Sequence, residues 1–367
     1  MSGGASEAIR RAIAAHGPIP FAEFMDLALY GPGGFYEEPP VGERGHFVTS
    51  PHVHPVFGEL VARAIRGMWS AMGCPAPLRI VELGAGDGTL ARLVSEALGE
   101  VPLDYTAVER STGARRALAR LPVRVVPSLE VLDQSLTGAV VLGNEILDNM
   151  PFHWIRAHVN GYTEIHVTFD DGRFVPVEIP CRAELIRELN ALSLRPGQEA
   201  AVSLQALHLL ERMARMLRTG YALLIDYASG DGPLSVRGYR RHRKVEDVLE
   251  EPGTADITAG VDFGAIAGHL RDLGLVTAGP IRQRAALASL GYRDWERDAR
   301  DRQGELLRHA RGREAVRTWS ERNAARNLVD PDGLGDLRWL AARTSDLPWP
   351  PWLSPSEADG RPSEESS

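Results

Sequence analysis

Cysteine is scarce. Cys74 and Cys181 are the two in 367 residues, and they form no C-x-x-C pair. That excludes a disulfide scaffold and a thiolate zinc centre. Positive charge is also short: 41 basic residues stand against 49 acidic ones, a net charge of −8. Bulk binding of nucleic acid needs the opposite balance, so no nucleic-acid partner is expected. No run of about 18 apolar residues occurs, and no membrane-spanning helix is expected. The opening MSGGASEAIRRAIAAHG lacks the apolar centre of a secretion signal. Its Ala/Arg pattern mimics a mitochondrial presequence, but it is short and carries Glu7, so an ordinary first helix is the favoured reading, with the cytoplasm as the expected location. Neither H-E-x-x-H nor G-x-S-x-G is present, so neither a metal site nor a serine-hydrolase elbow is expected.

What the chain does have is an alternation of strands and helices. Residues 78–83, 103–108, 123–126, 139–142 and 221–227 are short apolar runs, with helical periodicity near 89–99 and 203–218. This predicts βαβ units and a mainly parallel sheet. Between the fourth and fifth strands, FHWIRAHV, Asn160-Gly161 and YTEIHVTF predict a hairpin with a type I′ turn. Asp171-Gly172 then leads into one more strand, FVPVEIP. The Gly- and Pro-rich stretch 30–51 reads as an irregular lid, and SGDGPLSVRGYRRHRK as a mobile loop. Helices are expected at 262–273 and 294–327, and the last residues, SPSEADGRPSEESS, have a disordered composition.

One segment carries chemistry. Val81-Glu82-Leu83-Gly84-Ala85-Gly86-Asp87-Gly88-Thr89-Leu90 takes a buried strand through a glycine turn into a helix. Glycine lets the backbone turn sharply and lets a ligand come close. Dinucleotide folds seat a pyrophosphate on such a helix start. Here the spacing is G-x-G-x-G, and Glu82 stands two residues before the first glycine. An acid there repels a pyrophosphate and suits an ammonium group. The pattern resembles motif I of class I S-adenosylmethionine (SAM) methyltransferases. That implies cofactor contacts from Glu82, Gly84, Ala85, Gly86 and Gly88. Glu109 ends the second strand, where a carboxylate can accept both ribose hydroxyls of a nucleoside. Ser128 and Leu129 follow the third strand, where the class places adenine.

The fourth strand ends in Gly143-Asn144-Glu145-Ile146-Leu147-Asp148-Asn149-Met150-Pro151. Ligands of open α/β sheets bind beyond the carboxyl ends of the strands. Asn144 is therefore expected at the cofactor. Glu145 and Asp148 are three apart and would share one face of a helical turn. Together they could hold or deprotonate a cationic acceptor, and His153 is a further candidate base. The [DN]PP[YF] motif of nucleobase amino-methyltransferases is missing.

Jointly these segments resemble the MidA-like class I methyltransferases, a family that includes the mitochondrial complex I assembly arginine methyltransferases. The family's opening signature reads here Met25-Asp-Leu-Ala-Leu-Tyr30-Gly-Pro32-Gly-Gly34-Phe35-Tyr36. Its F-x-T-S-P and F-G-E read Phe47-Val48-Thr49-Ser50-Pro51 and Phe57-Gly58-Glu59, and its N-E-x-x-D-x-x-P reads from Asn144 to Pro151. PGTADITAGVDF at 252–263 and LVDPDGLG at 328–335 also match. Three positions depart: Phe35 replaces a tyrosine, Gly260 a histidine and Trp154 a glutamine.

The resemblance implies an α/β fold with a Rossmann-like, seven-stranded, mostly parallel sheet. It implies residues 1–75 as N-terminal helices and lid, and 76–290 as the SAM-binding core with a β-hairpin insertion at about 151–180. Residues 291–350 would be C-terminal helices and 351–367 a disordered tail. The lid would close over SAM with Thr49 and Ser50 near it. The implied reaction is methyl transfer from SAM to N or O of a protein, peptide or small-molecule acceptor, the family's attested acceptor being protein arginine. Homodimers are implied as an assembly. Two other readings stay open on the sequence: a SAM-binding assembly factor with little turnover, and a nicotinamide-dependent oxidoreductase.

Overall fold

Five of the six residues in Leu78–Leu83 are buried, as in a strand covered on both faces. A computed structural model, which describes residues 3–37, 49–132, 135–189, 194–230, 234–240 and 243–353, makes this strand β1 of a seven-stranded sheet. The others are β2 (Leu103–Val108), β3 (Arg124–Val126), β4 (Leu136–Asn144), β5 (Leu217–Asp226), β6 (Val276–Arg282) and β7 (Arg338–Arg343). In space the order is β6-β7-β5-β4-β1-β2-β3. β3, β2, β1, β4 and β5 run parallel. β7 enters between β5 and β6, antiparallel to both. This is the class I sheet that the sequence implied. The chain reverses direction across the sheet between β1 and β4, which opens a crevice at their carboxyl ends.

The helices are α1 (Gly3–His16), α2 (Phe21–Tyr30), α3 (Val56–Ala71), α4 (Thr89–Leu98), α5 (Leu204–Met216), α6 (Phe263–Asp272), α7 (Tyr292–Arg308) and α8 (Gly312–Arg326), besides shorter pieces. Side chains along β5 alternate between two layers. Tyr221, Leu223 and Ile225 pack with α3 and α4, and Ala222 and Leu224 with α5 and α6. α3 buries Phe57, Leu60, Val61, Ile65 and Met68, the one-sided spacing of an amphipathic helix. A third cluster joins Phe21, Phe24, Met25 and Leu29 of α2 to Phe152, Val167 and Ile257. It fixes the end of α2, Tyr30, over the crevice.

Several expectations need correction. The insertion is a larger antiparallel sheet: His153–His158, Gly161–Asp170, Arg173–Pro180 and Glu199–Val202, joined by Ile19–Pro20. It runs to Val202 rather than ending near 180. The turn with two left-handed residues is Asp171-Gly172, at φ 44° and 80°. At the other hairpin His158 pairs with Gly161, so Val159-Asn160 forms the turn. Asn160 is not left-handed there. Strands Val236–Arg240 and Arg243–Val245 occupy the stretch expected to be mobile and pair as a sheet with Asp256–Ala259. The helix expected at 294–327 is two helices, broken at Ala310 with φ 55°. The C-terminal segment contains β7 as well as helices. Trp352 and Leu353, expected in the tail, are buried in the main core; residues 354–367 lie outside the described residues, as do 38–48 of the lid stretch and 241–242 of the arginine run. Among the described residues no helix is long and apolar enough to cross a membrane.

Candidate active site

A cavity of about 530 Å³ opens at the crevice between β1 and β4. One wall is the turn after β1. Gly84, Gly86 and Gly88 take φ of 65°, 56° and 85°, which L side chains rarely adopt. A Cβ on Gly84 would lie 2.8 Å from Ile146, whereas one on Gly86, which lines the cavity, would meet nothing within 4 Å. The Gly86 N–H donates to Glu109 Oε2 at 2.8 Å, and the Ser111 N–H to Glu109 Oε1 at 2.7 Å. Each oxygen keeps a second lone pair for a ligand hydroxyl. Burial raises the Glu109 carboxyl above its usual range. Glu82 accepts from the Tyr105 hydroxyl at 2.7 Å, and burial pushes it up to about 8. Ser128 and Leu129 line the far end with Gln205, His208 and Leu209 of α5.

The opposite wall follows β4. Asn144 lines the cavity, and its Oδ1 is buried with no protein partner. Glu145 also lines it, in a left-handed conformation with φ 52°. Such strain costs on the order of 1–3 kcal/mol and persists only where the surroundings enforce it. They do: Glu145 N donates to Ile225 O at 2.7 Å, and Glu145 Oε1 accepts from Ser50 N at 3.0 Å and Asn144 Nδ2 at 3.2 Å. Burial raises its carboxyl to about 7. Next to it, Asp226 at the end of β5 accepts backbone N–H groups of Ile146, Leu147 and Tyr227 and so shapes the loop. Burial lifts Asp226 to about 6, Asp256 to about 7, and Asp148 well above the carboxylate range.

Residues from the N-terminal part complete the rim. Tyr30 and Tyr36 stack with ring centroids 5.3 Å apart. The Tyr36 hydroxyl donates to Asp256 Oδ1 at 2.9 Å and accepts from Asn149 Nδ2 at 2.8 Å. Arg110 lies 4.2 Å over the Tyr30 ring and pairs with Asp26. Past the undescribed segment, Thr49, Pro51 and His52 reach the cavity, and His52 pairs with Asp87 at 3.0 Å.

Of the residues expected from sequence, the cavity gathers Thr49, Glu82, Gly84, Ala85, Gly86, Glu109, Ser128, Leu129, Asn144 and Glu145. Four others do not line it. Ser50 is fully buried and acts through its N–H on Glu145. Gly88 faces Leu118 and Leu121. Asp148 sits behind the wall, because residues 145–148 are irregular and share no helical face. His153 is in the insertion, 2.5 Å from buried Glu164, which His166 also approaches at 3.3 Å. It therefore lies outside the cavity lining. The three departures from the family pattern also lie away from the lining. Phe35 and Trp154 pack in the N-terminal cluster, and a side chain at 260 would meet Ala228 O at 2.7 Å. Sequence reasoning missed Tyr36, His52, Asp87, Asn149, Asp226 and Asp256 as site residues. Tyr36 and Asp256 stand inside the matched family segments, a signal that could have found them.

A glycine turn in left-handed backbone, an acid at the end of β2 and an orphaned carbonyl oxygen at the end of β4 suit an adenosyl ligand with a cationic tail. Sheet order and site together define a class I SAM-dependent methyltransferase. Over residues 60–281 the chain matches the S-adenosyl-L-methionine-dependent methyltransferase family. The Drosophila melanogaster protein arginine methyltransferase NDUFAF7 homolog, mitochondrial, is 30% identical over 91% of this chain and 83% of its own length. The human protein arginine methyltransferase NDUFAF7, mitochondrial, is 29% identical over 75% and 70%. A candidate methyl transferase from Burkholderia thailandensis, crystallised with S-adenosyl-homocysteine, superposes with a TM-score of 0.77 at 29% identity, covering 94% of this chain and 92% of that one. The chain belongs to this MidA-like family of SAM-dependent methyltransferases, and SAM is its cofactor. The oxidoreductase alternative finds no support. The cytoplasmic expectation is corrected: the relatives from zebrafish, fly and human are named mitochondrial.

Proposed function

We propose that the chain transfers the SAM methyl group to a nitrogen of a cationic side chain, with protein arginine as the acceptor class. The acidity of the wall opposite the glycine turn carries this reading. Glu145 reaches the cavity, with Asp148, Asp226 and Asp256 behind it. Among the described residues none of these four forms an ion pair with Lys or Arg. Buried carboxyls without counter-charges are costly when ionised. A guanidinium offers both the missing charge and a planar set of donors. The names of the curated relatives agree with that acceptor.

Bound in the cavity, SAM supplies a methyl group on a sulfonium, open to in-line attack. The chain's own residues then orient and deprotonate. Glu109 would accept hydrogen bonds from the ribose hydroxyls, Asn144 Oδ1 would accept from the methionyl ammonium, and Ser128 and Leu129 would stand at adenine. Tyr30 and Tyr36 form the rim where the acceptor enters. Glu145 accepts the proton that the nitrogen loses as its bond to carbon forms. Alignment of two reactants in such a site can contribute roughly 7–11 kcal/mol. The test is transfer of label from methyl-tritiated SAM to arginine- and lysine-containing peptides and to a protein extract. Label in arginine supports the proposal; label confined to small molecules or to hydroxyl groups overturns it.

A further inference from the structure

Four side chains from three distant segments form one hydrogen-bonded run beside the cavity. It starts at Asp256, which is buried. The Tyr36 hydroxyl donates to Asp256 Oδ1 at 2.9 Å and accepts from Asn149 Nδ2 at 2.8 Å. The Tyr30 hydroxyl lies 3.5 Å from Asn149 Oδ1. Backbone contacts hold the run in place. Ser111 Oγ donates to Tyr36 O at 2.5 Å. The Ala259 N–H donates to Asp148 O at 2.9 Å, which ties the strand carrying Asp256 to the residue before Asn149.

The order of donors fixes which way Asn149 faces. An ionised carboxylate has no proton to give. The Tyr36 proton therefore goes to Asp256, and the Tyr36 oxygen is left to accept. The amide nitrogen of Asn149 supplies that bond, so its carbonyl oxygen turns the other way. Oδ1 carries two lone pairs and meets only the Tyr30 hydroxyl among the described residues, at the long limit of a hydrogen bond. Asn149 lines the cavity with Tyr30, Tyr36 and Glu145. The two rings are no open cage, since Arg110 and Tyr36 already lie against Tyr30 at 4.2 Å and 5.3 Å. What this wall offers a ligand is an aimed acceptor oxygen. A guanidinium brings five N–H donors in one plane, an ammonium three. Glu145 Oε1 is already engaged by Ser50 and Asn144, so a guanidinium needs a further acceptor. We propose that Asn149 Oδ1 accepts a guanidinium N–H of the methyl acceptor and so favours arginine over lysine, with Tyr36 and Asp256 as positioning residues that hold the amide in that orientation.

The proposal rests on the arginine acceptor inferred above. Its test runs at pH 8, where Asp256 is ionised although burial raises it to about 7. Label from methyl-tritiated SAM is followed into a protein extract, which is then hydrolysed and separated into arginine and lysine. Asn149→Leu keeps the size and removes the oxygen. It should cut arginine label about tenfold, as for a hydrogen bond to a charged group, and cut any lysine label less than twofold. Its S-adenosylhomocysteine affinity should stay within twofold of wild type, which also shows that the variant is folded. Tyr36→Phe keeps the ring stack and frees the amide to turn. It should lower arginine label severalfold alone and less than twofold further in the Asn149→Leu background, whereas a merely structural Tyr36 would cost as much in both. Unchanged arginine label in Asn149→Leu, an equal fall in lysine label, a matching loss of S-adenosylhomocysteine affinity, or additive losses in the double variant overturns this proposal alone. A wild-type chain that places no label in arginine overturns the arginine acceptor and this proposal with it.

Discussion

Glu145 combines a strained backbone, a buried carboxyl raised to about 7 and a place on the cavity wall. As a base it works only when ionised, so methyl transfer should rise with pH up to about 7 and then level. Glu145→Gln should lower kcat by roughly 10²–10⁴ and abolish that limb while leaving S-adenosylhomocysteine affinity intact. A pH profile that keeps its acid limb in the variant would remove Glu145 from the role. Gly86→Val should behave differently. Its φ of 56° suits glycine and not a β-branched residue, and its N–H, which lines up Glu109, belongs to the cavity wall. Loss of S-adenosylhomocysteine binding is expected; wild-type affinity would refute the site. The glycine turn was legible because its residues are neighbours in sequence. Asp226, Asp256 and Tyr36 were not, since they converge on Asp148 and Asn149 from three distant segments. The place of His153 was not legible, because it opens a strand of the insertion and so stands outside the cavity lining.

At the scale of elements, turn chemistry can be tested directly. Gly172 sits at φ 80° in the two-residue turn between paired Asp170 and Arg173, with nothing near its missing Cβ. Gly172→Ala should cost about 1 kcal/mol through backbone strain alone. Asn160→Ala, at a position without left-handed geometry, should stay within about 0.5 kcal/mol. Urea unfolding of both variants compares them; equal losses would contradict the assigned turns. The strands of the core were readable from their apolar runs. The extra strands at 199–202, 236–240 and 243–245 are short and mixed in polarity, and only pairing with other segments makes them strands.

Over the whole molecule the buried acids set the response to pH. Glu82, Glu145, Asp226 and Asp256 are raised by burial to about 8, 7, 6 and 7. Unfolded carboxyls titrate near 4. Between those values the folded chain binds more protons than the unfolded one, so stability falls as pH rises. The ligand-free protein should melt at a lower temperature at pH 8 than at pH 6 in matched salt. A flat or rising midpoint would show that these groups are ionised without penalty. Glu164 acts oppositely: burial would raise it, but its bonds to His153 and His166 hold it at about 2, so its contribution is lost as pH falls through that value.

The position of β7 has a consequence for biosynthesis. This strand is drawn from residues 338–343, later in sequence than every other strand of the sheet, yet it lies inside the sheet between β5 and β6. Domains tend to form from their N-terminal side as the chain emerges. Here the ribosome must have passed residue 343 before β5 gains its second neighbour and β6 gains any among the described residues. A premature stop codon shortly before residue 338 would therefore not trim an appendage. It would leave two strands of the core with open edges, prone to aggregation, and Asp226, which shapes the loop after β4, on one of them.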